Sequence, residues 1–201
     1  ILTVDGYQEY YDVYKRYYNT TIVVLKTSGG FVSHVPSWNG TIPNSVFIYG
    51  LQVADFNLDG NNDIVVSTDR KYISDNFAWE YNDGYIYIFK GEGDGNFTGP
   101  KVAYHPYEER GPIYGIEVGS FDEYSGPDLA FFQIYSQQEN TYTCHLEIIG
   151  NYNVASDTFS MVWQVESLPY SSNTGDRGAT RAVASVERIF ALASANFDRS
   201  G

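Results

Sequence analysis

One short segment recurs along this chain, and it constrains the fold more than any bulk property does. Val53-Ala54-Asp55-Phe56-Asn57, running on to Asp63-Ile64, aligns with Val118-Gly119-Ser120-Phe121-Asp122, running on to Asp128-Leu129. A third copy opens at Ser194-Ala195-Asn196-Phe197-Asp198. The shared Phe falls at 56, 121 and 197, at spacings of 65 and 76 residues. A sequence built this way is a series of similar supersecondary units, each of which buries its faces against its neighbours.

A second landmark recurs between these segments. Tyr85-Ile86-Tyr87-Ile88-Phe89-Lys90, a turn from Gly91 to Gly95, and Asn96-Phe97 read as a hairpin. Thr21 to Lys26 with a turn over 27–30 and then Phe31 has the same shape, and His145 to Ile149 with a turn before Phe159 has it more loosely. Each unit then reads strand, acidic loop, strand, connection, strand, glycine turn, strand. Composition agrees: aromatics make up 17% and charged residues only 18%, with 19 Tyr and 19 Gly, which favours short strands and turns over helices.

The first acidic loop, Asp55 to Asp63, carries the clearest chemistry. Side-chain oxygens at loop positions 1, 3, 5 and 9 (Asp55, Asn57, Asp59 and Asp63) can converge on one hard cation, and Asn61 at position 7 can add its backbone carbonyl. Gly60 permits the sharp turn that folds these ligands inward. An EF-hand needs a bidentate Glu at position 12. Here that place holds Val66, inside a β-branched run from Ile64 to Thr68, so the loop joins strands and the expected cofactor is calcium. In the second copy Ser120 replaces the first Asp, Tyr124 takes position 5 and Ser125 replaces the glycine, leaving Asp122 and Asp128 as weak ligands or none. Hydrogen bonds, and Phe121 packed between units, are expected to hold that loop. The third copy offers Asn196 and Asp198.

On these residues the chain resembles the FG-GAP/VCBS repeats, the blades of integrin-α-like β-propellers. The resemblance rests on the Asp55 to Asp63 loop with Ala54 before it, the apolar strand after it, and the Gly91 to Phe97 turn. It implies an all-β fold of four-stranded blades with structural calcium. Ile1 to Asp5 matches the strand that follows a calcium loop, which gives strands 2 to 4 of one blade over 1–45, complete blades over 46–111 and 112–185, and the first strand of another over 186–201. Propellers close with roughly 4 to 8 blades. The chain is therefore expected to be an incomplete part of a larger propeller.

In such a blade the acidic loops and glycine turns share one face, and the strand 2 to 3 and inter-blade connections share the other. The second set is long and aromatic. Gly6 to Tyr18 carries six Tyr at helical spacing, which predicts a short amphipathic helix packed on the blades. Arg70 to Tyr81 carries Tyr72, Phe77, Trp79 and Tyr81, and the inter-blade links add Trp38, Tyr107 and Tyr114. Exposed aromatics on loops of a rigid scaffold suit the docking of a protein or a glycan, or self-assembly.

The net charge of −13 argues against nucleic acid and anionic membranes as partners, and no apolar run reaches the length of a membrane span. Sequons at Asn19, Asn39 and Asn96 fit a secreted or cell-surface glycoprotein. Cys144 has no partner for an internal disulfide and reads as a small strand residue. His34, His105 and His145 show no metal-ligand spacing and read as strand-edge or surface residues, and no nucleophile elbow, HExxH or phosphate loop occurs. The expectation is a non-catalytic extracellular recognition, adhesion or surface-assembly module. Its rivals are a lectin-type propeller and the scaffold of a secreted enzyme acting on polysaccharide or lipid. A lectin would repeat its pocket from blade to blade, whereas the connections here differ between blades.

Overall fold

The computed structural model describes residues 2–171 apart from 13–14, 26, 29–30, 33–35, 44–47, 75–78, 107–109, 124 and 139–140. Among these residues it contains strands and turns and no helix. Strands β6 (Ile48–Ala54), β7 (Asp63–Ser74), β8 (Trp79–Gly91) and β9 (Phe97–Tyr104) pair in that order as an antiparallel unit. A second such unit comprises β10 (Arg110–Gly119), β11 (Asp128–Gln138), β12 (Thr141–Asn153) and β13 (Thr158–Ser171). Ahead of both, β1 (Leu2–Asp12), β2 (Lys15–Val24) and β5 (Trp38–Pro43) form a three-stranded antiparallel unit.

Three expectations are corrected here. The tyrosine-rich segment is a strand pair, not a helix: Glu9 lies opposite Tyr18, Tyr10 opposite Tyr17 and Tyr11 opposite Arg16. Tyr is a good strand former, and pairing with β2 outweighs the 3.6-residue spacing. The fourth strand of the first unit does not start at Phe31. Thr27–Ser28 (β3) and Phe31–Val32 (β4) make a separate two-residue hairpin, and Trp38–Pro43 supplies the partner of β2. The connections expected as aromatic loops are likewise strand pairs carried past the body of each sheet, as where Tyr72 faces Glu80 and Ile73 faces Trp79. One such extension meets another, with Lys15 opposite Ser74 and Arg16 opposite Ile73, so backbone pairing joins the first unit to the second.

The units stack through their faces, and the two-residue period of a strand explains how. In β7, Ile64 and Val66 point to one side and Val65 to the other. In β8, Tyr85, Tyr87 and Phe89 point to the first side, and Ile86 and Ile88 to the second. The first side meets Ile22 and Ile42; the second meets Ile113, Ile116, Leu129, Phe131 and Ile149. A sheet covered on both faces has no polar side to present, hence the nearly unbroken apolar runs. Each of these buried side chains contributes ~1.5–3 kcal/mol relative to exposure.

Polar ties join the second and third units at their edges. Gln52 Nε2 donates to the Ile116 carbonyl at 2.9 Å. Lys90 Nζ meets Asp157 Oδ1 at 2.8 Å, and the Tyr152 hydroxyl donates to the same oxygen at 3.0 Å. Burial pushes the Asp157 carboxyl up, but Lys90, Tyr152 and the charge of Lys101 outweigh it and hold the group below its ordinary 3.8. A carboxyl depressed by folding contributes stability above its unfolded value that is lost as pH falls through its folded value. Asp157→Asn, which suits the φ of 56° at this position, is therefore expected to cost ~1–2 kcal/mol at pH 7. In urea unfolding, the difference from wild type should be full above pH 3.8 and shrink as pH falls through the lowered folded value.

Candidate functional site

The loop from Asp55 to Asp63 closes on its own side chains. Asp55 accepts the Asp59 N–H on Oδ1 at 3.0 Å and the Gly60 N–H on Oδ2 at 2.8 Å. Asn57 Oδ1 also accepts from the Asp59 N–H at 2.9 Å, while its Nδ2 donates to Asp59 Oδ2. Asp59 Oδ1 accepts from the Asn61 N–H at 2.8 Å. That bond, and then the Asn57 amide, hold the exposed Asp59 carboxyl below its ordinary value. Leu58 (φ 58°) and Gly60 (φ 91°) both take the left-handed conformation that such a tight coil requires.

Asp63, the last residue of the loop, behaves differently. It is fully buried; Oδ2 accepts the Phe56 N–H at 3.0 Å and Oδ1 accepts the Gly91 N–H at 2.9 Å. One carboxylate thus fastens the start of the loop and the end of β8 to the start of β7. Burial pushes this carboxyl up, against the pull of the two N–H groups. Gly91 is required beside it because a Cβ there would run into the Asn62 carbonyl oxygen.

The second loop repeats the tie with different residues around it. Asp128 Oδ2 accepts from the Phe121 N–H at 2.6 Å and the Asp122 N–H at 3.1 Å, and burial again raises its carboxyl. Gly150 lies close against the Asp128 carboxylate, but one place earlier in register than Gly91, since Ile149 pairs with Leu129 as Phe89 pairs with Ile64. The glycine lost at Ser125 is replaced one residue later by Gly126, at φ 126°. Phe121 departs from expectation. It is 41% exposed and lies over Gly119, whereas Phe56 is buried edge-on against Phe159 at 5.5 Å. The third unit packs on Phe56; among the described residues no sheet stacks on the Phe121 side of β10–β13.

As a cation site, the first loop has an all-oxygen donor set, which is the right chemistry for a hard ion. Each carboxylate oxygen keeps a second lone pair after accepting an N–H, so the ring of loop hydrogen bonds orients the donors without using them up. Acidic side chains alone do not form a cage: no three Asp, Glu, His or Cys come together as an ion-holding group among the described residues. The Asn57 amide and a backbone carbonyl would have to complete the set. Asn196 and Asp198 of the third copy lie outside the described residues.

The expected ligand-face residues fall in several places. Trp38 is in β5 and not in a link. Its Nε1 donates to the Phe97 carbonyl at 2.9 Å, its ring packs on Phe89 (5.3 Å) and Phe97 (5.0 Å), and Gly40 leaves room for it. It serves packing between units. Tyr114 is buried in β10 with its ring 4.5 Å from Tyr49. Tyr72, Trp79 and Tyr81 sit on the extended β7 and β8 arms, while Phe77 and Tyr107 lie outside the described residues. Of the sequon asparagines, Asn39 is exposed; Asn19 is half-buried, and Asn96 gives its amide to Asp94 Oδ2 at 2.7 Å.

A polar group that the sequence did not single out sits on the inner face of the third unit. Down the paired β11 and β12, Leu129 faces Ile149, then Phe131 faces Glu147, then Gln133 faces His145. Glu147 and Gln133 are fully buried and His145 is nearly so, a correction to its reading as an edge or surface residue. Glu147 Oε2 accepts from the Tyr104 hydroxyl at 3.0 Å, and His145 Nδ1 lies 2.6 Å from Gln164 Nε2. No run of acids or histidines marks this cluster in the chain; the one signal was an alternation in β12 that turns polar at Glu147 and His145. Comparison with protein-family models, curated proteins and solved structures finds no match.

Proposed function

We propose that the chain is a run of β-propeller blades of the FG-GAP/VCBS kind, stabilised by calcium in the Asp55 to Asp63 loop. Its role in this reading is recognition, adhesion or surface assembly outside the cell, without catalysis. The observation that carries it is the shared tie of the two acidic loops. In successive stacked units the last loop aspartate is buried and accepts the N–H of the repeated Phe, although the residues between have diverged. A corner kept this way in both units is a register element, and the first loop adds to it the donors a cation needs. Asp55, Asn57, Asp59 and Asp63 with the Asn61 carbonyl would hold the ion, which offsets their mutual repulsion and converts binding energy into folding energy. The β7 and β8 arms, whose sequences include Tyr72, Trp79 and Tyr81, are the segments this reading assigns to a protein or glycan partner, or to a second copy.

Calcium at about 100 times its dissociation constant is expected to add ~2.7 kcal/mol, a rise in melting temperature of about 5–10 °C that a chelator reverses. Asp59→Ala should abolish the rise and leave calcium-free stability nearly unchanged, because the two hydrogen bonds it gives up, from the Asn61 N–H and the Asn57 amide, are both exposed. A melting temperature indifferent to millimolar calcium would remove the ion from this reading.

A further inference from the structure

The turn from Gly91 to Phe97 closes on the far half of the Asp55 to Asp63 loop. We infer that Gly93 in this turn is a positioning residue for the calcium of the proposed site, acting through Asn61. The inference deepens the calcium reading above and rests on it.

The loop secures its own first half, where Asp55, Asn57 and Asp59 each accept N–H groups from within it. Its second half is secured by the turn. The Gly91 N–H holds Asp63 Oδ1 at 2.9 Å, and the turn then passes so close over Asn61 that a Cβ on Gly93 would lie 2.5 Å from its Oδ1 and 3.3 Å from its Cγ. Gly93, at φ 85°, leaves that space to the amide. Asn61 meets Asp59 twice: its N–H donates to Oδ1 at 2.8 Å, and its side-chain amide adds a second bond that helps hold the carboxyl below its ordinary value. A change at Gly93 is therefore passed to two of the proposed ligands, the Asn61 carbonyl and the Asp59 carboxylate, without removing either.

The third unit has the converse arrangement. Counted from the matching pairs Ile64–Phe89 and Leu129–Ile149, Asn153 stands in the place of Gly93; counted from the last loop aspartate, Gly126 stands in the place of Asn61. The side chain has moved from the loop to the turn. Asn153 Oδ1 serves that turn alone, accepting from the Ala155 N–H at 2.9 Å and the Ser156 N–H at 3.3 Å. Asn151, in the place of Gly91, brings its amide nitrogen to 3.5 Å from Asp122 Oδ2, the carboxylate at loop position 3. The second loop thus answers that carboxylate with a protein donor. The two loops differ in their turns as well as in the ligands lost at Ser120 and Tyr124.

The test is calcium titration of the whole chain by calorimetry, with melts in chelator on the same samples. Asn61→Gly combined with Gly93→Asn copies the third unit and keeps every main-chain carbonyl of the loop. It is expected to melt in chelator within about 5 °C of wild type and to bind calcium about tenfold more weakly. Gly93→Ala, a smaller change, should weaken binding in the same direction. Asp59→Ala defines the signal that belongs to this loop. Gly95→Asn, at φ 88° in the same turn, controls for backbone conformation and should bind as wild type does. Wild-type affinity in the double variant and in Gly93→Ala overturns the inference and leaves the calcium reading in place, as does an equal loss in Gly95→Asn. A wild-type chain with no calcium signal that Asp59→Ala removes overturns both.

Discussion

Asp63→Ala is expected to destabilise the protein by ~2–6 kcal/mol, because two buried backbone N–H groups, those of Phe56 and Gly91, lose their acceptor together. For a chain of this size that lowers the melting temperature by about 10 °C. Burial raises the Asp63 carboxyl, so the free charge is itself a cost that Ala removes. The two N–H ties outweigh it, since an unpaired donor in an apolar site keeps its full desolvation penalty. Asp63→Asn retains one acceptor and turns an amide N–H2 toward the other donor, so it should recover less than half the loss. Thermal melts in the presence of chelator make the comparison clean: any ion is absent, and what is measured is the tie. Equal stability of wild type and Asp63→Ala under those conditions would show that the carboxylate acts only through a cation.

Gly91→Ala should be nearly as damaging, at ~3–5 kcal/mol. The new methyl meets a backbone carbonyl, that of Asn62, which cannot swing aside as a flexible side chain would. Relief by moving the end of β8 breaks the Gly91 N–H bond to Asp63 as well. Gly60→Ala is the matched control. Nothing lies within 4 Å of a Cβ there, and its cost is the left-handed backbone alone, ~1–2 kcal/mol. Urea unfolding of the two variants side by side should rank Gly91 well above Gly60. The reverse order would mean that loop conformation, not close approach, governs this corner.

Local pattern was legible wherever one strand period decides the outcome. The run from Ile64 to Thr68 and the alternation from Tyr85 to Phe89 name their own elements, and the recurrence of Phe56 and Phe121 sets the spacing of units. What could not be read was which face a residue meets. Phe56 and Phe121 occupy the same place in their repeats, yet one is buried and the other exposed, because burial depends on a neighbouring sheet and not on the loop. Trp38 reads as a docking aromatic for the same reason; its partners, Phe89 and Phe97, are more than 50 residues away. The tyrosines over 7–18 satisfy helical spacing and strand propensity at once, and only the presence of β2 decides between them. Asp63 was assigned to the ion on spacing, whereas its two hydrogen bonds into the backbone depend on Gly91, which is 28 residues further on.

The pairing of the β2 extension with that of β7 has a consequence for how the molecule comes apart. Between the first and second units the main chain itself is bonded across the seam, at Lys15–Ser74 and Arg16–Ile73. The second and third units are joined by side chains: apolar contact, the Gln52 amide and the Lys90–Asp157 pair. Partial opening under heat or load should then release the last sheet while the first two stay together as one cooperative block, with amide exchange in β10 to β13 running ahead of that in β7 and β8.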